Sequence, residues 1–168
     1  SLLLPALGKA KRKALEIRCL TNQRQLHLAW TVYAMDHEDR LVANHNELET
    51  LNKRINWVNN VLSWNVAGRG GENTNASFIT EAKLSPYTSR SANIYRCPAD
   101  HYLSPAQRSA GWTARLRSVA INGFLGNPSI LVNWNIEEEP EYRRFLKLSA
   151  ISETSKIFVF ADEHPDYI

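Results

Sequence analysis

Residues 6–36 contain no proline and a single glycine, Gly8, while Ala, Leu, Lys, Arg and Gln recur throughout. These are good helix formers, so the segment predicts one helix of about 30 residues, long beside the ~10–14 usual in globular proteins. Cys19, Gln23, Leu26, Trp30 and Tyr33 recur at helical spacing on one face, flanked by Leu15 and Ala29. The two halves differ. Leu26, Trp30 and Tyr33 make the second half heavy and apolar, and they are the expected helix–head packing residues. The first half carries Lys9, Lys11, Arg12, Lys13 and Arg18 against only Glu16. The asymmetry predicts a helix whose second half packs on a domain while its first half projects.

Beyond the helix the texture changes to short apolar segments between turn residues. Residues 55–58 and 61–66 read as strands, with Asn59 and Asn60 as a tight turn. A short helix is expected over 76–84, capped by Asn75 and stopped before Pro86. Brief strands are expected at 94–97 and within 116–124, and residues 102–111 read as irregular. Residues 130–134 are apolar and 137–141 form an acidic loop. The run KIFVFA at 156–161 is apolar on both faces and reads as a central strand. One helix followed by short strands and loops is α+β: a single domain over 1–168, with the helix at 1–36 and a head at 37–168.

The totals exclude some classes. With 43% hydrophobic and 22% charged residues the chain is globular rather than disordered. The net charge of +3 is concentrated in the first 24 residues, without which the chain is slightly acidic, so no broad basic surface for nucleic acid is expected. No apolar run approaches the ~18 residues of a membrane helix, and LLLPAL is too short for a signal-peptide core. An anchor, where one exists, is expected upstream of Ser1.

Cys19 and Cys97 belong to no C-x-x-C pair, which leaves zinc without its usual spacing. Composition leaves two readings open: two buried thiols, the commoner outcome, or one long-range disulfide in an oxidising compartment. DEHPD at 162–166 supplies the metal candidates Asp162, Glu163 and Asp166, whose oxygens suit calcium; with His164 they also suit acid–base chemistry. The simpler reading is a solvated strand exit with a turn at Pro165. CPADH at 97–101 sets Cys97 near His101, but Pro98 removes a backbone donor that would activate the thiol. DHED at 36–39 lacks the glycine and distal glutamate of a calcium loop and reads as a helix exit, while GRGGEN at 68–73 lacks a P-loop lysine. The basic run at 9–13 reads as a solvated helix face or a contact for phosphates and lipid head groups. Trp57, Trp64, Trp112 and Trp134 are the candidate ligand-facing aromatics, although core is the default for tryptophan. No catalytic residue and no cofactor set is assigned.

The residues nevertheless resemble a known pattern. LLLPALGKAKRKALEIRCLTNQRQLHLAWTVYAMDHEDRL resembles the segment just beyond the hydrophobic anchor of bacterial type IV pilin-like and type II secretion pseudopilin-like proteins. The likeness is to those with a prepilin-type N-terminal cleavage/methylation domain. INWVNNVLSW, NTNASFITEAKLSPY, IYRCPAD, RSVAINGFLG and FVFADEHPD follow in order. The resemblance implies a non-enzymatic, membrane-anchored precursor that joins an extracytoplasmic filament, with other pilin-like subunits and secretion or pilus machinery as partners. It implies a processing site and an apolar anchor upstream, and further strand segments after DEHPD. It also favours a Cys19–Cys97 bridge, closing a loop of about 80 residues worth roughly 4 kcal/mol, and it allows calcium near the C-terminal carboxylates. The alternatives are a glycan-binding module on a pilin-type anchor and a metal-dependent extracytoplasmic enzyme. The enzyme needs Asp162, Glu163 and His164 to converge with Asp100 or His101.

Overall fold

The computed structural model describes residues 3–45, 55–126 and 143–163. Helix α1 spans Leu3–Asp36, 34 residues, or about 51 Å. Pro5 sits in its first turn, where a backbone N–H has no helical partner to lose. The described side chains of residues 4–14 are exposed or nearly so. From Leu26 onward one stripe is buried, with Leu26, Ala29, Trp30 and Ala34 all at 2% exposure or less. Tyr33 is half-buried and packs edge-on to Tyr87 at 5.6 Å. The helix exits through Glu38 and Asp39, both at positive φ. The Asp39 carboxylate offsets that unfavourable backbone by accepting from the Ser149 N–H and hydroxyl. DHED is thus a helix exit tied to a distant loop.

The head is α+β but sparse in regular structure. Helices α2 (Ser77–Thr80) and α3 (Pro105–Ser109) are single turns, and the sheet has two strands, β1 (Val119–Ile121) and β2 (Phe160–Asp162). They pair antiparallel, with Val119 opposite Asp162 and Ile121 opposite Phe160. What covers α1 is mainly two 3₁₀ turns, Ser85–Thr88 and Ala92–Tyr95, with β2 beside them. One hydrophobic core joins the buried stripe of α1 to Val42, Trp57, Ile79, Leu84, Tyr95, Val119, Leu125 and Phe145. Gly126, at φ +90, closes the far side, where a Cβ would collide with the Val42 carbonyl.

Several expected strands are absent, for a common reason. Residues 55–66 form no strand because their backbone is bonded outside any ladder. Trp57 N–H donates to the Ala43 carbonyl at 3.0 Å and Asn59 N–H to that of Phe78 at 2.8 Å. The Asn56 amide meanwhile mimics a strand neighbour, pairing with both the N–H and the carbonyl of His45 at 2.6 and 3.0 Å. Asparagine side chains compete for the backbone in this way. The 94–97 strand is replaced by the Ala92–Tyr95 turn. Among the described residues KIFVFA is not central: its strand starts only at Phe160, pairs with β1 alone, and leaves Phe158 61% exposed. α3 appears where irregular chain was expected, set by a capping box. The Ser104 hydroxyl accepts from Gln107 N–H, and the Gln107 side chain accepts from Ser104 N–H.

Candidate functional site

Cys19 of α1 and Cys97 of the head form a disulfide, with Cα atoms 4.8 Å apart and a sequence separation of 78. Of the two readings that composition left open, the bridge holds. Beside it, two side chains of the next turn of the helix reach the head. Asn22 Nδ2 donates to the Arg96 carbonyl at 3.0 Å and Gln23 Nε2 to Asp162 Oδ2 at 3.0 Å. Asp162 Oδ1 in turn accepts from the Ser118 hydroxyl at 3.2 Å, whose oxygen accepts the Cys97 N–H at 2.8 Å. Residues 19–23 are therefore where the helix is fastened.

Next to this fastening lies a cleft of about 500 Å³ lined by Cys97, Asp100, His101, Tyr102, Ser118, Asp162 and Glu163. Asp162, Glu163, Asp100 and His101 thus share one cleft, while His164 and Asp166 lie outside the described residues. Two of the three carboxylates already have structural partners. Asp100 is paired with the buried Arg115 guanidinium at 2.8 Å and accepts the Tyr102 N–H at 3.2 Å. Asp162 holds Gln23 and Ser118. Among the described residues no group of three or more His, Cys, Asp or Glu side chains is placed to hold a metal ion.

Burial pushes the Asp162 carboxyl above its usual range, against the lowering effect of the bonds from Ser118 and Gln23, with nearby Asp100 adding to the rise. A carboxyl whose pKa is raised on folding stabilises the fold while protonated, and that contribution is lost as pH rises through the folded pKa. Asp162→Asn is therefore expected to gain stability relative to the parent chain between mildly acidic and neutral pH. Thermal unfolding of both proteins at the two pH values tests this; an unchanged difference counts against it.

The candidate aromatics differ in setting. Trp57 is 3% exposed and packs against Tyr95 and Phe160, with Arg117 5.2 Å from its ring, so it is core and not ligand-facing. Trp64 is half-buried, met edge-on by Tyr102 at 5.4 Å and by Arg115 at 4.6 Å. Trp112 is half-buried just after α3, and Trp134 lies outside the described residues. Sequence reasoning missed the buried arginines. Arg117 gives its donors to Asn60 and the Val119 carbonyl, and burial lowers its pKa to about 10. The alternation Arg115–Leu116–Arg117 leading into β1 gave no reason to expect both arginines inside.

The helix also has a second apolar face. Ile17, Leu20, Leu28 and Met35 are exposed, as are Leu4 and Leu7 in the first turns. At about 100° per residue, Ile17, Leu28 and Met35 lie within about 20° of one another and roughly opposite the Cys19–Leu26–Tyr33 stripe. No helix among the described residues is long and apolar enough to cross a membrane. Comparison of the chain with protein families, with characterised proteins and with solved structures finds no match.

Proposed function

We propose that this chain is a non-enzymatic, pilin-like subunit of an extracytoplasmic filament of the type II secretion or type IV pilus kind, assembled with other pilin-like subunits. The observation that carries the reading is the apolar face of α1 turned away from the head. A surface helix in a monomer needs one apolar stripe, and α1 has two on opposite sides, one of them used by the core. Large apolar residues in line on an exposed surface mark an interaction site. The projecting basic half and the disulfide fit the same reading, since structural disulfides persist in oxidising, extracytoplasmic compartments.

A photo-crosslinking amino acid at Leu28, in cells making the protein from its native gene, tests the proposal. Adducts to a second copy, or to another subunit with a long apolar helix, are expected; the same probe at Lys83, exposed on the head, should give few. Equal yields at the two positions, or none at Leu28 and Ile17, would refute it.

A further inference from the structure

Both cysteines of the disulfide follow an arginine: Arg18 precedes Cys19 and Arg96 precedes Cys97. The bridge brings these two arginines, 78 residues apart in sequence, onto one pocket of about 280 Å³. Arg18 and Asn22 of α1 form one wall, with Asn93, Arg96 and Pro98 on the other and Arg115 behind them. Among the described residues no carboxylate lines this pocket. Arg115 is 2% exposed and its charge is met from the neighbouring cleft by Asp100 at 2.8 Å, while its Nε–H has no acceptor. Arg96 donates only to a neutral group, the Arg115 carbonyl, at 3.1 Å. Arg18 has no hydrogen-bond or ion-pair partner among the described residues. Asn22 Nδ2 ties the walls together through the Asn93 and Arg96 carbonyls at 3.4 and 3.0 Å.

We infer that this pocket binds a doubly charged tetrahedral oxyanion, a phosphate group. Two guanidinium charges without carboxylate partners among the described residues repel one another unless an anion joins them. The planar fork of arginine matches phosphate geometry with paired charge-assisted bonds. The walls are held before any ligand arrives, by a covalent bond and an amide clamp, so little ordering opposes binding. Because the disulfide aligns Arg18 with Arg96, the site belongs to the oxidised chain. The inference does not rest on the filament reading.

Calorimetric titration with inorganic phosphate at low ionic strength tests it, with sodium chloride at matched ionic strength as the control. One phosphate per chain is expected. Arg18→Gln and Arg96→Gln should each weaken it at least about ten-fold, and Arg24→Gln, an exposed arginine of the same helix off the pocket, should leave it unchanged. Arg96→Lys keeps the charge without the fork and guards against misfolding; it too should bind more weakly. Reduction of the disulfide should also lower the affinity. Vesicles of phosphatidylcholine with or without phosphatidic acid separate the sources of the phosphate. Binding that needs phosphatidic acid and is lost in Arg18→Gln and Arg96→Gln, without binding of free phosphate, assigns the site to a lipid headgroup. Phosphate heats reproduced by sodium chloride together with vesicle binding that does not depend on phosphatidic acid, or binding unchanged in both glutamine variants in either format, would overturn the proposal.

Discussion

Replacing Cys19 and Cys97 together by serine is expected to lower the unfolding free energy by roughly 4–5 kcal/mol. The estimate follows from the closed loop: cross-linking residues 78 apart removes denatured-chain entropy in proportion to the logarithm of the loop length. The loss also has a local part. Asn22 and Gln23 lie within one turn of Cys19, and their bonds to Arg96 and Asp162 depend on the helix staying seated. Denaturant unfolding of the parent, the double variant and the reduced parent measures the effect, and the last two should agree. A shift below about 1 kcal/mol would mean that the core stripe alone seats the helix.

Trp30→Ala is the other large expected loss, about 3–5 kcal/mol. Trp30 is 1% exposed and stands at the centre of the stripe that joins α1 to the head. Its buried neighbours on the helix, Ala29 and Ala34, are too small to fill the space. Its indole Nε1–H is buried without an acceptor, and an unpaired buried donor costs about 1–3 kcal/mol. Trp30→Phe removes that donor while keeping a ring, so it should lose far less than Trp30→Ala. Chemical denaturation of both variants tests the pair; equal losses would show that ring shape, not volume, governs the site. Leu28→Ala, on the outward face, should change stability by less than about 0.5 kcal/mol.

The helix was legible because its signals are local. Propensity, the absence of Gly and Pro, and the spacing of Leu26, Trp30 and Tyr33 all act within a few residues and agree. The head was much less legible because its backbone bonds are decided by side chains. Asn56 presents its amide to His45 as a strand would, and no periodicity announces that. KIFVFA reads as central since apolar content speaks of burial but not of how many neighbours a strand has. In the cleft, the sequence supplies the condition that Asp162, Glu163 and His164 converge with Asp100 or His101, of which His164 lies outside the described residues. It gives no sign that Asp162 is engaged by Gln23 and Ser118 and Asp100 by a buried arginine. The two Arg–Cys dipeptides were visible from the start, but their meaning depended on which cysteines paired.

The fastening at residues 19–23 also fixes how α1 carries load. Residues 3–18 extend about 24 Å ahead of the first tether, so a pull applied there travels down the helix as axial tension. Tension applied at Leu3 reaches the head at the Cys19–Cys97 bond before it reaches the Leu26–Trp30 packing. A covalent link at that point takes the strain in place of the core, and the noncovalent contacts behind it are shielded from shear. Oxidised, the chain is a rod pinned at one turn; reduced, the same pull would peel the helix from the head one contact at a time.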